Sequence, residues 1–143
     1  MSTENNKKTV RRWIIGICNR GDFGLIEELA SEDYVYEAPG HGEIRGDAFR
    51  DFVAGVRSAF PDLNNTIESQ ISEGEIVVTR GTTRGTHQGP FGQLAPTGKS
   101  VAVPWVFFTR FQGGRIVEDW EIYDGLGMMT QLGMELKPKE VEK

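Results

Sequence analysis

Apolar positions recur at helical spacing over the first third of the chain and then switch to alternation. From Thr9 to Asn19, Val10, Trp13, Ile14 and Ile17 fall on one helical face, and Gly21 supplies a residue that ends such a helix. Asp22 is placed to cap a second helix carrying Phe23, Ile26 and Leu29. A short extended stretch, Tyr34 to Glu37, runs into the turn Pro39-Gly40-His41-Gly42. Asp47 to Ala59 predicts the clearest helix: Phe49, Phe52, Val53, Val56 and Phe60 line one side, and Pro61 stops it.

Beyond Pro61 the period is two. Ile67 and Ile71 sit in a polar alternating stretch that ends at Glu73-Gly74, a hairpin signal. Glu75 to His87 predicts a second strand, Val101 to Gln112 a third, and Gly113-Gly114 a tight hairpin into a fourth, Arg115 to Tyr123. Pro104 inside the third strand suggests an edge or a bulge. A last helix, Leu126 to Leu132, precedes a charged tail. Helices followed by a run of antiparallel strands give an α+β fold rather than a parallel βαβ sheet. On the third strand Trp105, Phe107 and Phe111 face one way, Val106 and Phe108 the other, so both faces of the sheet need cover. Helices can cover one; a second subunit or a closed cavity must cover the other.

The chain has 143 residues, the size of one domain able to bury a real core without disulfides or metal. Its expected organisation is a flexible N-terminus over 1–8, a single domain over 9–134 and a charged tail over 135–143. Lys+Arg 16 against Asp+Glu 21 gives a net charge of -5, which lacks the basic footprint of a nucleic-acid binder. The single cysteine, Cys18, excludes an internal disulfide and a cysteine-rich metal site, and reads as a small buried hydrophobe. No apolar run approaches the length of a membrane span, and Met1 to Lys8 has no apolar signal core. The expectation is a cytoplasmic protein with no membrane partner. Gly 18 of 143 is about twice ordinary usage, and these glycines are spread singly, as punctuation between short elements.

Several motifs fail on spacing or context. Gly40-His41-Gly42 followed by Gly46 is one residue too long for a dinucleotide loop and lacks a following parallel strand. Gly98-Lys99-Ser100 resembles the end of a phosphate loop, but Gln93 stands where the first glycine is needed and a strand follows instead of a helix. His41 and His87 have no ligand spacing for zinc, so no metal site is expected. A Gly-x-Ser-x-Gly nucleophile turn is absent from the sequence.

What remains is a group of carboxylates on the last strand, Glu118, Asp119, Glu121 and Asp124, beside Trp120 and Tyr123. With period two, Asp119, Glu121 and Tyr123 share one face, and Glu118, Trp120 and Ile122 the other. Two readings follow from periodicity. Either Asp119 and Glu121 are solvated and Trp120 and Ile122 are core, or the two carboxylates enter a cavity about 7 Å apart. In the second case burial and like charge raise at least one pKa toward neutrality, as acid–base chemistry requires. His87, at the end of the second strand, is either a hydrogen-bonded structural residue or a catalyst. Arg80 and Arg84 either orient an anionic ligand or form surface ion pairs.

Phe60-Pro61-Asp62, Gly85-Thr86-His87-Gln88-Gly89, Pro96-Thr97-Gly98-Lys99, Gly114-Arg115-Ile116-Val117-Glu118-Asp119-Trp120, Asp124 and Gln131-Leu132-Gly133 occur in an order that resembles the SnoaL-like polyketide cyclase family, over roughly Val10 to Gly133. The resemblance implies a cone-shaped α+β barrel of the nuclear transport factor 2 type: a curved, mainly antiparallel sheet around N-terminal helices, with an internal pocket. It also implies no cofactor, and an intramolecular aldol closure in which an aspartate on the final strand is the acid/base. That aspartate falls on Glu121, which keeps the carboxylate on a longer arm. The family's assisting histidine falls on Phe107, which cannot exchange a proton, whereas His87 matches the family's histidine in its Gly-Thr-His segment.

The resulting expectation is a cofactor-independent acid/base enzyme acting on a hydrophobic, polyketide-like carbonyl compound. Glu121, His87 and Asp119 are its candidate catalytic residues, and Trp13, Tyr36, Trp105 and Phe107 its pocket lining. The alternatives are a non-catalytic small-molecule binder on the same scaffold, favoured by Phe107, and an isomerase or hydrolase of the same fold. A homodimer through Val106, Phe108, Trp120 and Ile122 is expected, as is a mobile Gln88 to Lys99 loop bordering the pocket mouth.

Overall fold

A computed structural model describes residues 3–140. A first helix, α1 (Thr3–Trp13), passes directly into a π-helical stretch, Ile14–Asn19. Val10, Trp13, Ile14 and Ile17 are all buried, as their spacing requires. The helix starts at Thr3, inside the segment expected to be a flexible extension, and buries Asn6 there; Met1 and Ser2 lie outside the described residues. α2 (Gly24–Leu29) begins after Phe23 with no side-chain cap, so Asp22 does not cap it as expected. Met134 to Glu140 follow the last helix as an exposed, irregular segment, and residues 141–143 of the expected tail lie outside the described residues.

Among the described residues the sheet has six strands: β1 (Ala30–Ala38), β2 (Gly42–Arg45), β3 (Asn64–Glu73), β4 (Ile76–Thr86), β5 (Ser100–Gln112) and β6 (Arg115–Tyr123). Their spatial order is β2-β1-β6-β5-β4-β3. All neighbours are antiparallel except β1 and β6, which run parallel. This is the expected α+β architecture, with helices against one face of a mainly antiparallel sheet. β1 is longer than the predicted Tyr34 to Glu37 stretch, and β2 was not predicted at all. α3 (Asp47–Ala59) keeps its predicted bounds, and α4 (Gly125–Gln131) closes the described helices. Among the described residues, no helix is long and apolar enough to cross a membrane.

Pro104 proves not to be on an edge, because β5 lies between β4 and β6. Its carbonyl accepts from Asp124 N at 3.1 Å. A strand residue's nitrogen and carbonyl point the same way in an antiparallel ladder, so the proline nitrogen faces the side where β6 has already ended at Tyr123. The bond the proline forfeits on this side is the reciprocal one to Asp124, just past the end of β6. Gly113 and Gly114, at φ 59° and 82°, make the β5–β6 hairpin with both central residues left-handed.

Two packed clusters divide the interior. One joins α1, the π-helical stretch and α3 to the sheet, with Trp13, Tyr34, Tyr36, Phe49 and Phe111. The other joins the end of α3 to β5 and α4, through Phe60, Leu63, Val101, Val103, Met128 and Leu132. Gly81 on β4 sits opposite Trp105. A Cβ at Gly81 collides with the Trp105 ring and with Thr66 O, so the glycine is what lets that indole lie across the sheet.

Candidate active site

Odd-numbered residues of β5 point inward, and so do those of β6 from Asp119 on, beyond the register shift at Arg110/Phe111. Val101, Val103, Trp105, Thr109 and Phe111 are buried, while Phe108 and Ile122 are 45% and 47% exposed on the opposite face. Asp119 and Glu121 therefore point into the fold, which settles their orientation against the solvated reading. Their environments differ.

Asp119 is fully buried and lines none of the cavities described below. Thr109 donates to its Oδ1 at 2.5 Å and Tyr34 to its Oδ2 at 2.7 Å. Trp13, Tyr34 and Phe49 pack ring on ring around this end of the barrel, with centroids 5.0–5.7 Å apart. Burial lifts the Asp119 carboxyl to about 6, against the pull of hydrogen bonds from Thr109, Tyr34 and Trp13.

Glu121 lines two compartments, which also share Phe52, Val56, Leu63 and Thr83. The outer one, about 120 Å³, is lined by His41, Phe52, Val56, Phe60, Leu63, Phe91, Trp105, Tyr123 and Met128 among others. The inner one, about 110 Å³, is lined by Trp13, Cys18, Tyr36, Phe52, Arg57, Asn65 and Phe107 among others, and Glu121 belongs to both walls. The Tyr36 hydroxyl donates a short hydrogen bond to Glu121 Oε1. Burial in this apolar setting pushes the Glu121 carboxyl up to about 7, with the Tyr36 bond opposing the rise and the Asp119 charge adding to it. Tyr36 itself is pushed well above its ordinary value by burial and by the Glu121 charge, so its proton stays on the phenol.

The four expected lining residues all reach these compartments: Trp13, Tyr36 and Phe107 the inner one, Trp105 the outer one. Phe107 lies directly across the β5–β6 ladder from Glu121. Cys18, in the inner wall, is pushed up to about 12 by burial and is an inert thiol at neutral pH. Arg57 spends Nη1 on the carbonyls of Cys18 and Asn19, at 3.0 and 2.5 Å.

His87 is placed elsewhere. It is fully buried at the end of β4, beside Phe60 and Phe91, and is not in the wall of either compartment. Thr97 N donates to its Nδ1 at 3.1 Å, which puts the ring proton on Nε2. That Nε2 and the Trp105 indole nitrogen are buried without a hydrogen-bond partner among the described residues. Arg80 and Arg84 are exposed and lie outside both compartments. The Gln88 to Lys99 loop contributes Phe91 to the outer wall, and is pinned where Gln88 N and Gly89 N donate to Ala59 O.

His41 is the site residue that sequence reasoning missed. It projects from the β1–β2 turn, and its Nε2 lies 2.6 Å from the Tyr123 hydroxyl. The sequence offered that segment as a turn and, rejected on spacing, as a dinucleotide loop or zinc ligand, and its partner is 82 residues away.

The family model for SnoaL-like polyketide cyclases matches residues 8–132. The chain belongs to the SnoaL-like polyketide cyclase family. Among solved structures it is similar to AclR of Streptomyces galilaeus, a proposed hydroxylase, at 29% identity and TM-score 0.83, covering 96% of this chain and 91% of that one. It is also similar to IdmH of Streptomyces antibioticus, a proposed polyketide cyclase, at 28% identity and TM-score 0.78, covering 90% and 98%. A proposed SnoaL-like polyketide cyclase from Jannaschia sp. CCS1 shares the fold at 24% identity and TM-score 0.85, covering 94% and 95%. No curated protein matches the chain significantly. Within this SnoaL-like frame, Glu121 lines both compartments, and the position across the ladder holds a phenylalanine.

Proposed function

We propose that this SnoaL-like protein is a cofactor-independent acid–base enzyme acting on a hydrophobic carbonyl compound. Glu121 takes a proton from the carbon next to the carbonyl and returns one to the new carbon or hydroxyl. The observation that carries this reading is a carboxyl in the wall of an apolar cavity, one oxygen held by Tyr36, with burial pushing its pKa up to about 7. Such a group is half ionised at neutral pH and serves in both directions of proton transfer. Asp119 acts from behind, its charge raising Glu121, and His87 holds the Gln88 to Lys99 loop through Thr97. Each compartment is smaller than the roughly 300–1,000 Å³ pockets that hold drug-sized ligands. A compact one- or two-ring substrate suits them, and a larger one requires that loop to swing outward.

Phe107 favours a second reading, a binder without turnover, since it leaves Glu121 without a titrating partner across the ladder. Deuterium incorporation separates the two. A panel of cyclic ketones and 1,3-diketones in deuterated buffer, followed by NMR, should show enzyme-dependent labelling next to the carbonyl. Glu121→Gln should lower the rate by about 10²–10⁴. Thermal stabilisation by the same compounds without any labelling would identify a binder.

We also propose a cytoplasmic homodimer through the convex face of the sheet. Val106 and Ile122 pair across the ladder there, as do Phe108 and Trp120, whose rings meet edge to face at 5.8 Å. The exposure of Phe108 and Ile122 supports it.

A further inference from the structure

We propose that Tyr123 and His41 form an oxyanion-binding donor pair at the cavity mouth, holding the oxygen of an enolate or phenolate while Glu121 handles the carbon-bound proton. The inference rests on the acid–base reading of Glu121 and adds what that reading lacks, a group to receive the charge.

Three observations carry it. Tyr123 and Glu121 lie two residues apart on one face of β6, about 7 Å between backbone positions, and both line the outer compartment. A planar carbonyl compound can set its acidic carbon over Glu121 with its oxygen toward the Tyr123 phenol. His41 Nε2 lies 2.6 Å from that phenol oxygen. The imidazole is held in place by its own backbone N–H, which donates to Ala38 O at 3.0 Å, and by the Phe52 ring, 5.5 Å away and edge-on. Lastly, Phe107 faces Glu121 across the ladder, so the inner wall offers no donor at that position.

The chemistry then divides cleanly. With its proton on Nε2, His41 donates to the phenol oxygen, and the Tyr123 proton is free to be donated to a ligand. Glu121 carboxylate takes the proton from carbon, and the C–H electron pair moves into the carbon–carbon bond as the carbonyl oxygen becomes anionic. That oxygen meets the Tyr123 O–H, which remains a phenol because burial holds its pKa above the ordinary value. Reversal returns the proton to carbon. The ligand class is a cyclic carbonyl compound whose enol form is flat and conjugated, its oxygen at the mouth and its ring against Phe52, Val56 and Leu63.

The test uses 2-naphthol, a phenolate mimic of such an enolate whose neutral and ionised forms differ in absorbance and fluorescence, with naphthalene as the uncharged control. The full chain carries Glu121→Gln, the neutral state that follows proton uptake. This variant should bind the naphthol as its anion below the probe's free pKa. Adding Tyr123→Phe should weaken anion binding by about tenfold or more, the scale of one hydrogen bond to a charged group, and leave naphthalene binding unchanged. Adding His41→Leu should give a smaller loss of the same kind. Equal anion binding with and without the Tyr123 hydroxyl overturns the proposal, as does binding of the neutral form alone or no binding of the naphthol. Failure of the Glu121 reading shows separately, as deuterium labelling that persists in Glu121→Gln with both mouth residues intact.

Discussion

Replacing Glu121 by glutamine should make the protein more stable at alkaline pH and leave it little changed in acid. The magnitude follows from the site. Burial raises the carboxyl from 4.5 to about 7 in the folded chain, and a tenfold change in proton affinity is worth about 1.4 kcal/mol. Keeping the charge in the fold therefore costs about 3 kcal/mol relative to the unfolded chain. Between the two pKa values the folded state binds more protons than the unfolded state, so wild-type stability falls as pH rises from about 4.5 to about 7. Glutamine keeps the shape and still accepts from Tyr36, but has no proton to lose. Urea unfolding at equal protein concentration, at about pH 4 and about pH 8.5, should show the variant gaining up to about 3 kcal/mol on the wild type between the two conditions. Asp119 is present in both chains, and its repulsion with the Glu121 charge, already part of the Glu121 rise, disappears in the variant. A difference that stays constant with pH would mean that the carboxyl is solvated, and the reasoning from burial would fail.

Three further outcomes are expected. Tyr36→Phe removes the hydroxyl that stabilises the Glu121 carboxylate, so the midpoint of Glu121 in a carboxyl NMR titration should move to higher pH, with proton affinity up by about tenfold or more. Gly81→Ala forces the Trp105 ring and Thr66 O apart and should cost about 1–3 kcal/mol in urea unfolding. Ile122→Glu places a charge in the apolar convex patch, and sedimentation should show the wild type as a dimer and the variant shifted toward monomer, with the fold retained.

The parts of the fold that were legible in the sequence are those where a local signal had no competitor. α3 carries Phe49, Phe52, Val53 and Val56 at helical spacing between a glycine and a proline, and β6 follows a two-glycine turn; both keep their predicted bounds. β2 was not legible because Gly42-Glu43-Ile44-Arg45 offers one apolar residue and no alternation, and is a strand through its pairing with β1. The π-helical stretch is equally non-local, with Leu25 packed so close to Gly16 that a Cβ there collides with it. At the site, period two put Asp119 and Glu121 on one face but could not say that helix-borne aromatic rings wall off the first and leave the second open. His41 and Tyr123 meet through the curvature of the sheet, to which no spacing in the chain corresponds. Phe107, read from the sequence as pocket lining, is found in the inner wall.

The central claim is that Glu121 titrates near neutrality inside an apolar cavity, and carboxyl NMR of protein labelled with ¹³C at the glutamate side chains measures this without any knowledge of the substrate. One glutamate resonance, missing in Glu121→Gln, should titrate with a midpoint of about 7. A Glu121 midpoint in the ordinary glutamate range, near about 4.3, would contradict the account.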